Sequence, residues 1–319
     1  MVPVFIFSLP RSGSTLIQRI LSGHSEIATT AEPWVLLPLF YATRESGIVS
    51  EYNHHTSRRA NVDFISQIGE DNYHKALNDF VCDLYSTFSN DGERYFLDKT
   101  PRYYLIIEEI VKVFPEAKFI FLFRNPLHVL SSIVSTFSAG QLNRLYPYDI
   151  DLKEGVNCLT SGAKLLEGKA HCLKYEDLVD EPSVCIQKLC EFLEIPYDKS
   201  LGDDVFGRVV NGAMGDPVKK NVQRKIDKSS LSKWSRNCEG VYRRRVVKKY
   251  MELLNEDDLS YQGYSKEAIL QDVDSLPAGM KGCFNDFLGY NLGRLISFFK
   301  LNIFLGRSSK KWANKRYLG

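Results

Sequence analysis

The sequence predicts an α/β fold, in which helices flank a central parallel sheet in three layers, followed by a helical C-terminal extension. Two observations predict it. Short apolar runs of strand length alternate with segments of helical periodicity, which is the pattern of strand–helix–strand units. The two clearest runs, 4–7 and 118–123, show no polar alternation, as expected of strands that are buried on both faces.

The first strand, Val4–Phe7, leads into a polar loop and then into residues 15–21, where leucine and isoleucine have helical spacing. Pro126 follows the strand 118–123 and favours a helix start, because proline fits the first turn, where no backbone N–H is needed. The other predicted elements are a helix over 79–88, a strand over 95–97, a helix from Pro101 that ends before Pro115, a strand over 172–175 and a helix over 182–193.

The composition is that of an ordinary globular protein. Of the 319 residues, 44% are hydrophobic and 25% are charged, which excludes disorder, collagen and coiled coil. The sequence contains no apolar run of about 18 residues, the length that spans a bilayer. The net charge of +2 gives no general affinity for polyanions, and no recognition motif supports nucleic acid as a partner.

Seven cysteines form no Cys-x-x-Cys pair, and their number is odd. We therefore expect reduced thiols, with neither a disulfide framework nor a metal site. An apolar strand over residues 2–7 directly follows Met1, without the basic start and the cleavage site of a signal peptide. These features predict a cytoplasmic protein.

Charge is distributed unevenly along the last third of the chain. Residues 218–249 contain 12 lysines or arginines and two acids, whereas residues 250–293 contain eight acids and two lysines. This change predicts one domain over residues 1–255 and a helical extension over 256–319. The basic segment can flank a nucleotide, cover an anionic acceptor or form a solvated helix face, since its bases recur at helical spacing.

The extension ends in an amphipathic pattern. One helical face is apolar and contains Leu288, Leu292, Leu295, Phe299 and Ile303. Residues 294–319 add seven bases and no acid. The pattern fits either a helix in peripheral contact with a membrane, through residues 287–319, or a helix packed on the rest of the protein.

The polar loop after the first strand, Ser8–Gly13, has the properties of an anion site. Its position before a helix presents unsatisfied N–H groups and the positive end of the helix dipole. Gly13 permits close approach of the backbone and Arg11 adds charge, while Ser14 and Thr15 add hydroxyl donors. The Gly-Lys pair of a Walker A loop is missing, which disfavours ATP bound with magnesium. The alternative is an ordinary strand–helix turn.

A second strand end offers a second anion site. Arg124 follows the strand 118–123, and Ser132 lies about two turns along the next helix. The carboxyl ends of parallel strands share one edge of a sheet, so the two sites suit the opposite ends of one nucleotide with two phosphate groups. Alone, Arg124-Asn125-Pro126 is equally consistent with a helix start beside a surface arginine.

Together these segments resemble the superfamily of sulfotransferases that use 3′-phosphoadenosine 5′-phosphosulfate (PAPS), which has a P-loop-like fold. Residues 10–16 look like its 5′-phosphosulfate loop, and the Arg-Asn-Pro motif with Ser132 looks like its 3′-phosphate motif. The spacing of Arg11, His24 and Glu32 is similar to that in tyrosylprotein sulfotransferases and their bacterial relatives.

Two later segments extend the resemblance to about residue 250. Residues 173–178 look like the strand end whose tyrosine, here Tyr175, nears the 3′-phosphate. Residues 231–234 are similar to the segment whose lysine, here Lys233, closes over the nucleotide. The residues implied to bind PAPS, or its product adenosine 3′,5′-bisphosphate, are Arg11, Ser12, Gly13, Ser14, Thr15, Leu16, Arg124, Ser132, Tyr175 and Lys233.

A sulfuryl-transfer mechanism assigns catalytic roles to three of the side chains. Arg11, with the amides of residues 12–15, holds the phosphosulfate. Lys99 neutralises the bridging oxygen as it leaves, and Glu32 accepts the proton of the acceptor hydroxyl.

Each of these assignments has an alternative. Glu32 can cap a helix that opens at Pro33, and Lys99 can be a surface lysine paired with Asp98. His24 is a weaker candidate for the base. Tyr175 can be a core aromatic residue.

The acceptor is expected to be a hydroxyl of a glycan or glycolipid, by the resemblance and the candidate membrane tail. Ala31 and Trp34 stand where tyrosylprotein enzymes carry an acid and an arginine, and that arginine helps to hold an acidic peptide. Segments 40–72 and 140–169 are expected to shape the acceptor pocket. The alternative functions are a nucleotide kinase, which magnesium dependence would indicate, and a nucleotide-binding protein without transfer activity.

Overall fold

The computed structural model describes residues 1–89, 92–203, 205, 210, 212, 226, 228–280 and 282–301. By their internal contacts the residues group into two compact units. The first unit comprises Met1–Arg124 and Asn157–Lys228, and the second comprises Asn125–Val156 and Ser229–Gly319. The domain boundary predicted near residue 255 stays a prediction, because contact density does not test which part of a chain folds alone.

Strands and helices alternate along residues 2–193, as predicted, and helices follow to residue 298. The strands are β1 (Val2–Ser8), β2 (Ile27–Thr29), β3 (Tyr95–Asp98), β4 (Lys118–Phe123) and β5 (Ala170–Lys174). The α-helices are α1 (Ser14–Leu21), α2 (Leu36–Tyr41), α3 (His54–Ile68), α4 (Glu70–Ser86), α5 (Ile107–Val113), α6 (Pro126–Thr136), α7 (Asp149–Lys153), α8 (Gly155–Leu165), α9 (Tyr175–Asp180), α10 (Pro182–Leu193), α11 (Ser229–Ser232), α12 (Ser235–Cys238), α13 (Val241–Leu253), α14 (Glu256–Tyr261), α15 (Lys266–Ser275) and α16 (Cys283–Phe298). Short 3₁₀ helices cover Pro101–Ile106, Leu142–Arg144, Tyr146–Tyr148 and Lys199–Gly202.

The sheet is parallel throughout, with strand order β2-β3-β1-β4-β5. This confirms the predicted α/β fold with a central parallel sheet and flanking helices. The chain leaves β1 toward β2 and leaves β4 toward β5. The crevice between the carboxyl ends of β1 and β4 is therefore the topological switch point, where sheets of this kind bind ligands.

Aromatic side chains fill the interior of the first unit. Residues 3–8 of β1 and 119–123 of β4 are all buried. The ring centroids of Phe5 and Phe114 are 5.3 Å apart, and those of Phe7 and Phe121 are 5.1 Å apart. The unbroken apolar runs of the sequence thus correspond to strands that are covered on both faces.

Several element boundaries differ from the predictions. The sequence does not predict β2, because three residues are too short to show a period. The segment from Pro101 begins as a 3₁₀ helix, with the N–H of Tyr103 donating to the carbonyl of Thr100 (3.1 Å). The fourth predicted strand ends one residue early. Tyr175 instead begins α9, whose first turn contains two acids that favour a helix N-terminus.

The second unit is helical and pairs part of the basic segment with the acids that follow it. Arg243 on α13 pairs with Asp286 (Nε–Oδ2, 2.8 Å). Arg244 and Lys248 both pair with Asp274, at 2.7 and 2.6 Å. These three bases are neutralised within their own unit. Residues 213–225, which hold four other bases of the segment, lie outside the described residues.

Candidate active site

The loop between β1 and α1 contains two residues in the left-handed backbone conformation. The φ angle is 69° at Arg11 and 100° at Gly13. The N–H of Ser12 donates to the carbonyl of Leu9 (3.2 Å), which closes the turn. Left-handed residues in such a turn aim successive N–H groups at one concave point, which binds anions. Gly13 caps α1 without a side-chain acceptor, so the first N–H groups of the helix have no partner within it.

The remaining residues of the predicted phosphosulfate loop differ in exposure. Ser12 and Ser14 are buried, and Thr15 is half-buried. Leu16 packs into the core, and its N–H donates to the carbonyl of Gly13 (2.9 Å). Its visible contribution is thus to anchor α1, and its predicted contact with the nucleotide stays a prediction.

Arg124, at the carboxyl end of β4, contacts this loop directly. Its Nη1 donates to the carbonyl oxygen of Arg11 (2.8 Å). Its guanidinium carbon lies 4.2 Å from the ring centroid of Tyr175, which is a cation–π contact. The two strand ends that the sequence marks as separate anion sites are therefore adjacent at the switch point.

The ring of Tyr175 fills the space beside Gly13. A Cβ atom at position 13 would lie 2.2 Å from Cδ2 of Tyr175, and the φ angle there already favours glycine. Tyr175 is buried, in agreement with the alternative of a core aromatic residue. Its ring nevertheless lies against both predicted anion sites, because it contacts Arg124 as well as Gly13.

Glu32 and Lys99 form an ion pair in which the lysine is buried and the carboxylate is partly buried. The Nζ of Lys99 lies 2.6 Å from Oε1 of Glu32, and their side chains are 1% and 12% exposed. The indole Nε1 of Trp34 donates to Oε2 of the same carboxylate (3.2 Å). Lys99 is thus neither on the surface nor paired with Asp98. Glu32 caps no helix, because α2 begins only at Leu36.

Asp98, at the end of β3, is a fully buried carboxylate that holds the neighbouring segments in place. Its oxygens accept hydrogen bonds from the hydroxyls of Tyr85 (2.7 Å), Thr100 (2.9 Å) and Tyr103 (3.1 Å). Burial raises the pKa of Asp98 to about 6, although the three hydroxyls oppose the shift. The Tyr103 hydroxyl in turn accepts the N–H of Leu36 (3.2 Å). The hydrogen bonds around Asp98 therefore link the end of β3, which Lys99 directly follows, to the segment between β2 and α2, which contains Glu32.

Ser132 and Lys233 belong to the second unit and are described within it. Ser132 lies half-buried on α6, and Lys233 is exposed between α11 and α12. Their neighbours in sequence are bonded, since the hydroxyl of Ser131 donates to the carbonyl of Trp234 (3.0 Å). The two segments implied by the resemblance are thus adjacent in this unit. The roles of Ser132 and Lys233 stay predictions.

A family model described as the sulfotransferase family matches residues 3–199. The chain belongs to the sulfotransferase family. Among curated relatives, it is 28% identical over 225 residues to the nodulation protein NoeE of Sinorhizobium fredii, covering 67% of this chain and 50% of that protein. It is 24% identical over 244 residues to protein-tyrosine sulfotransferase A of Caenorhabditis elegans, covering 72% of this chain and 60% of that protein. The chain thus spans about half the length of NoeE.

Solved structures of sulfotransferases align with the chain at lower identity. The sulfotransferase domain of the Synechococcus PCC 7002 olefin synthase aligns with a TM-score of 0.49 at 23% identity, over 73% of this chain and 86% of that chain. Mouse sulfotransferase SULT7A1, complexed with PAP, aligns with a TM-score of 0.45 at 11% identity, over 83% of this chain and 89% of that chain.

Each strand of this member of the sulfotransferase family has one predicted site segment at its carboxyl end. The segments are the Arg11 loop after β1, Glu32 after β2, Lys99 after β3, Arg124 after β4 and Tyr175 after β5. Parallel strands place all their carboxyl ends at one edge of the sheet. The topology therefore brings these predicted segments, which lie far apart in the sequence, to one edge of the sheet.

His24 has a structural role in this chain. The N–H of Glu26 donates to Nδ1 of His24 (3.1 Å), so the ring proton is on Nε2, which donates to the carbonyl of Pro196 (3.0 Å). Both ring nitrogens are engaged in backbone hydrogen bonds. His24 is thus not placed as a general base.

Sequence reasoning missed Trp34 and Asp98 as parts of the site. Trp34 has a left-handed φ of 57° and turns its indole onto Glu32. Asp98 is conspicuous in the sequence only as a neighbour of Lys99. The signal that could have identified it is its position as the last residue of a buried strand, where an unpaired carboxylate is costly and must have donors.

Proposed function

We propose that this sulfotransferase transfers a sulfuryl group from PAPS to the hydroxyl of an acceptor. The acceptor oxygen forms a bond to sulfur, and the bond between sulfur and the bridging phosphate oxygen breaks. The hydroxyl proton passes to Glu32, and adenosine 3′,5′-bisphosphate leaves. The observation that carries the proposal is the hydrogen bond from Arg124 to the carbonyl of Arg11, which joins the two strand ends that carry the predicted anion sites.

The residues present fit the two ends of PAPS. The left-handed loop at 11–13 and the N-terminus of α1 suit the 5′-phosphosulfate, with Arg11 as its cation. Arg124 is fixed by its bond to Arg11 and by the Tyr175 ring. A fixed planar guanidinium suits bidentate binding of a phosphate, here the 3′-phosphate. The nucleotide-binding roles of Ser132 and Lys233 stay predictions from the resemblance.

The ion pair of Glu32 and Lys99 supplies both proton acceptor and positive charge. An ammonium has three donors and a carboxylate has about four acceptor sites, so each group can contact substrate while it holds the other. Lys99 offsets the charge that develops on the bridging oxygen, and Glu32 takes the proton from the acceptor. General-base help of this kind contributes about 10²–10⁴-fold to rate. The step is proposed without a metal, because Lys99 and Arg11 supply the positive charge.

The acceptor is proposed to be a glycan or glycolipid hydroxyl. In support, position 34 is a tryptophan whose indole donates to Glu32. It therefore does not supply the positive charge that would hold an acidic peptide. The tyrosine peptide named by several relatives is the competing acceptor. Segments 40–72 and 140–169 remain the proposed walls of the acceptor pocket.

The proposed location is cytoplasmic. None of the seven cysteines, all of which are described, forms a disulfide. Reduced thiols are typical of a reducing compartment.

Calorimetric titration tests the proposal, with adenosine 3′,5′-bisphosphate against ATP, each with and without magnesium. We expect tight binding of the bisphosphate that does not depend on magnesium. Tighter binding of ATP with magnesium would instead indicate the kinase. Transfer from radiolabelled PAPS to oligosaccharides, glycolipids and acidic tyrosine peptides then identifies the acceptor. Binding of the bisphosphate without transfer to any acceptor would indicate a nucleotide-binding protein that lacks transfer activity.

A further inference from the structure

One face of α16 is packed on the second unit. Gly289 and Gly293 lie one helical turn apart and rest on the backbone of Asn143. A Cβ at Gly293 would be 3.0 Å from the carbonyl oxygen of Asn143. The ring of Tyr242 contacts the rings of Phe287 and Tyr290, at 5.7 and 6.2 Å between centroids. The helix is therefore anchored in its own unit, as one of the two alternatives predicts.

The opposite face of α16 is apolar and exposed. Its residues span an arc of roughly 140°, at 3.6 residues per turn. Their exposed fractions lie between 49% and 78%. They are Phe284, Leu288, Leu292, Leu295, Phe298 and the C-cap residue Phe299, with Phe287, which also contacts Tyr242, at the edge of the face. Contiguous apolar surface of this kind on a protein marks a site of interaction.

The charge of the adjoining chain selects the partner. Between residues 283 and 319 the sequence has a single acid, Asp286, which is paired with Arg243. Residues 294–319 carry seven bases. In a dimer formed through this segment, the bases of one copy would face the bases of the other, and the like charges would repel. Anionic lipid headgroups instead attract each base and accept apolar side chains just beneath them.

A helix that lies along the bilayer surface fits the described residues. Among residues 1–301, outside the gaps, no helix is long and apolar enough to cross a bilayer. We infer that α16 binds the surface of an anionic phospholipid bilayer and inserts its exposed leucines and phenylalanines into the headgroup boundary. This inference stands independently of the proposed chemistry.

Co-sedimentation of the full chain with vesicles tests the inference. The vesicles contain phosphatidylcholine alone or phosphatidylcholine with phosphatidylglycerol. We expect binding to the anionic vesicles that weakens as salt is added. Leu292→Glu combined with Leu295→Glu should lower the partition coefficient at least about tenfold, because the two exposed leucines lose their apolar contact. The matched control is Phe64→Glu on α3, which is 57% exposed and should leave binding unchanged.

Reversal of charge on and after α16 separates the electrostatic contribution to binding from the apolar one. Arg294→Glu with Lys300→Glu, two exposed bases, should lower binding to anionic vesicles by about fivefold or more per base, and should leave the weak binding to neutral vesicles unchanged. Equal pelleting of all variants would overturn the inference. So would light scattering that shows a dimer which Leu292→Glu with Leu295→Glu converts to monomer, together with no vesicle binding by the unaltered chain.

Discussion

The Nη1 atom of Arg124 lies 2.8 Å from the carbonyl oxygen of Arg11. This bond joins the ends of β4 and β1, two adjacent parallel strands whose connections leave in opposite directions. An anion held by the Arg11 loop and an anion held by Arg124 are thus neighbours at the switch point of the sheet. We propose that one nucleotide with phosphate groups on both its 5′ and 3′ positions occupies both.

Replacement of the proposed base tests the transfer step. Glu32→Gln keeps an oxygen for Lys99 but accepts no proton, so kcat should fall roughly 10²–10⁴-fold. Binding of adenosine 3′,5′-bisphosphate should change little, since Glu32 serves the acceptor. Turnover with radiolabelled PAPS and calorimetry measure the two effects. The control is Glu45→Gln, whose side chain is 83% exposed and should be neutral. A kcat of Glu32→Gln within a few-fold of the native value would remove Glu32 from this role.

The contact of Gly13 with Tyr175 predicts that no other residue fits position 13. Gly13→Ala should cost about 1–2 kcal/mol of backbone strain plus the displacement of the Tyr175 ring. Gly168→Ala is the matched control, because φ there is 77° but nothing lies within 4 Å of a Cβ.

Urea unfolding and titration with the bisphosphate compare the two variants. Gly13→Ala should lose more stability than Gly168→Ala and should alone lose affinity for the nucleotide. Equal losses of stability with unchanged affinity would show that the Tyr175 ring does not constrain the loop.

Asp98 predicts a pH dependence of stability with a definite sign. Its folded-state pKa of about 6 lies above the ordinary value of 3.8, so the native state binds the proton more tightly than the unfolded chain. Its contribution to stability is complete below about pH 4 and is lost as the pH rises through 6.

The measurement is the free energy of unfolding from pH 4 to 7 for the native chain and for Asp98→Asn. Relative to Asp98→Asn, the native chain should become less stable with rising pH up to about 6 and then stay level. Exposed Asp83→Asn controls for the loss of a charge. A constant difference between the native chain and Asp98→Asn across this range would contradict the shifted pKa.

The sequence predicts β1 and β4, the two strands that carry the predicted anion sites. Both strands are buried on both faces, and such strands have unbroken apolar sequences. It does not predict β2, whose three residues have no visible period. Glu32 is nevertheless marked by its spacing from Arg11, and the structure places it after β2.

The contacts between strand ends lie beyond sequence reasoning. Lys99 and Glu32 form an ion pair although they lie 67 positions apart in the sequence, whereas Asp98 is the immediate neighbour of Lys99 and therefore the partner that the sequence predicts. The choice depends on the direction of the side chains at the end of β3, where Asp98 turns inward to three hydroxyls. Contacts between residues that are far apart in the chain leave no pattern in the local sequence, so only the folded structure shows the ion pair of Lys99 and Glu32.

Affinity for the nucleotide at Arg124 is the most direct test of the paired anion sites. Calorimetry of Arg124→Ala should show a loss for adenosine 3′,5′-bisphosphate that exceeds the loss for adenosine 5′-monophosphate by about 10–100-fold, the worth of a charge-assisted hydrogen bond. Arg124→Lys should lie between, since lysine cannot bind a phosphate bidentately. If Arg124→Ala also disturbs the Arg11 loop, the affinities for both ligands fall by the same factor, so the ratio of the two losses does not change. Equal losses for the two ligands would contradict the assignment of Arg124 to the 3′-phosphate.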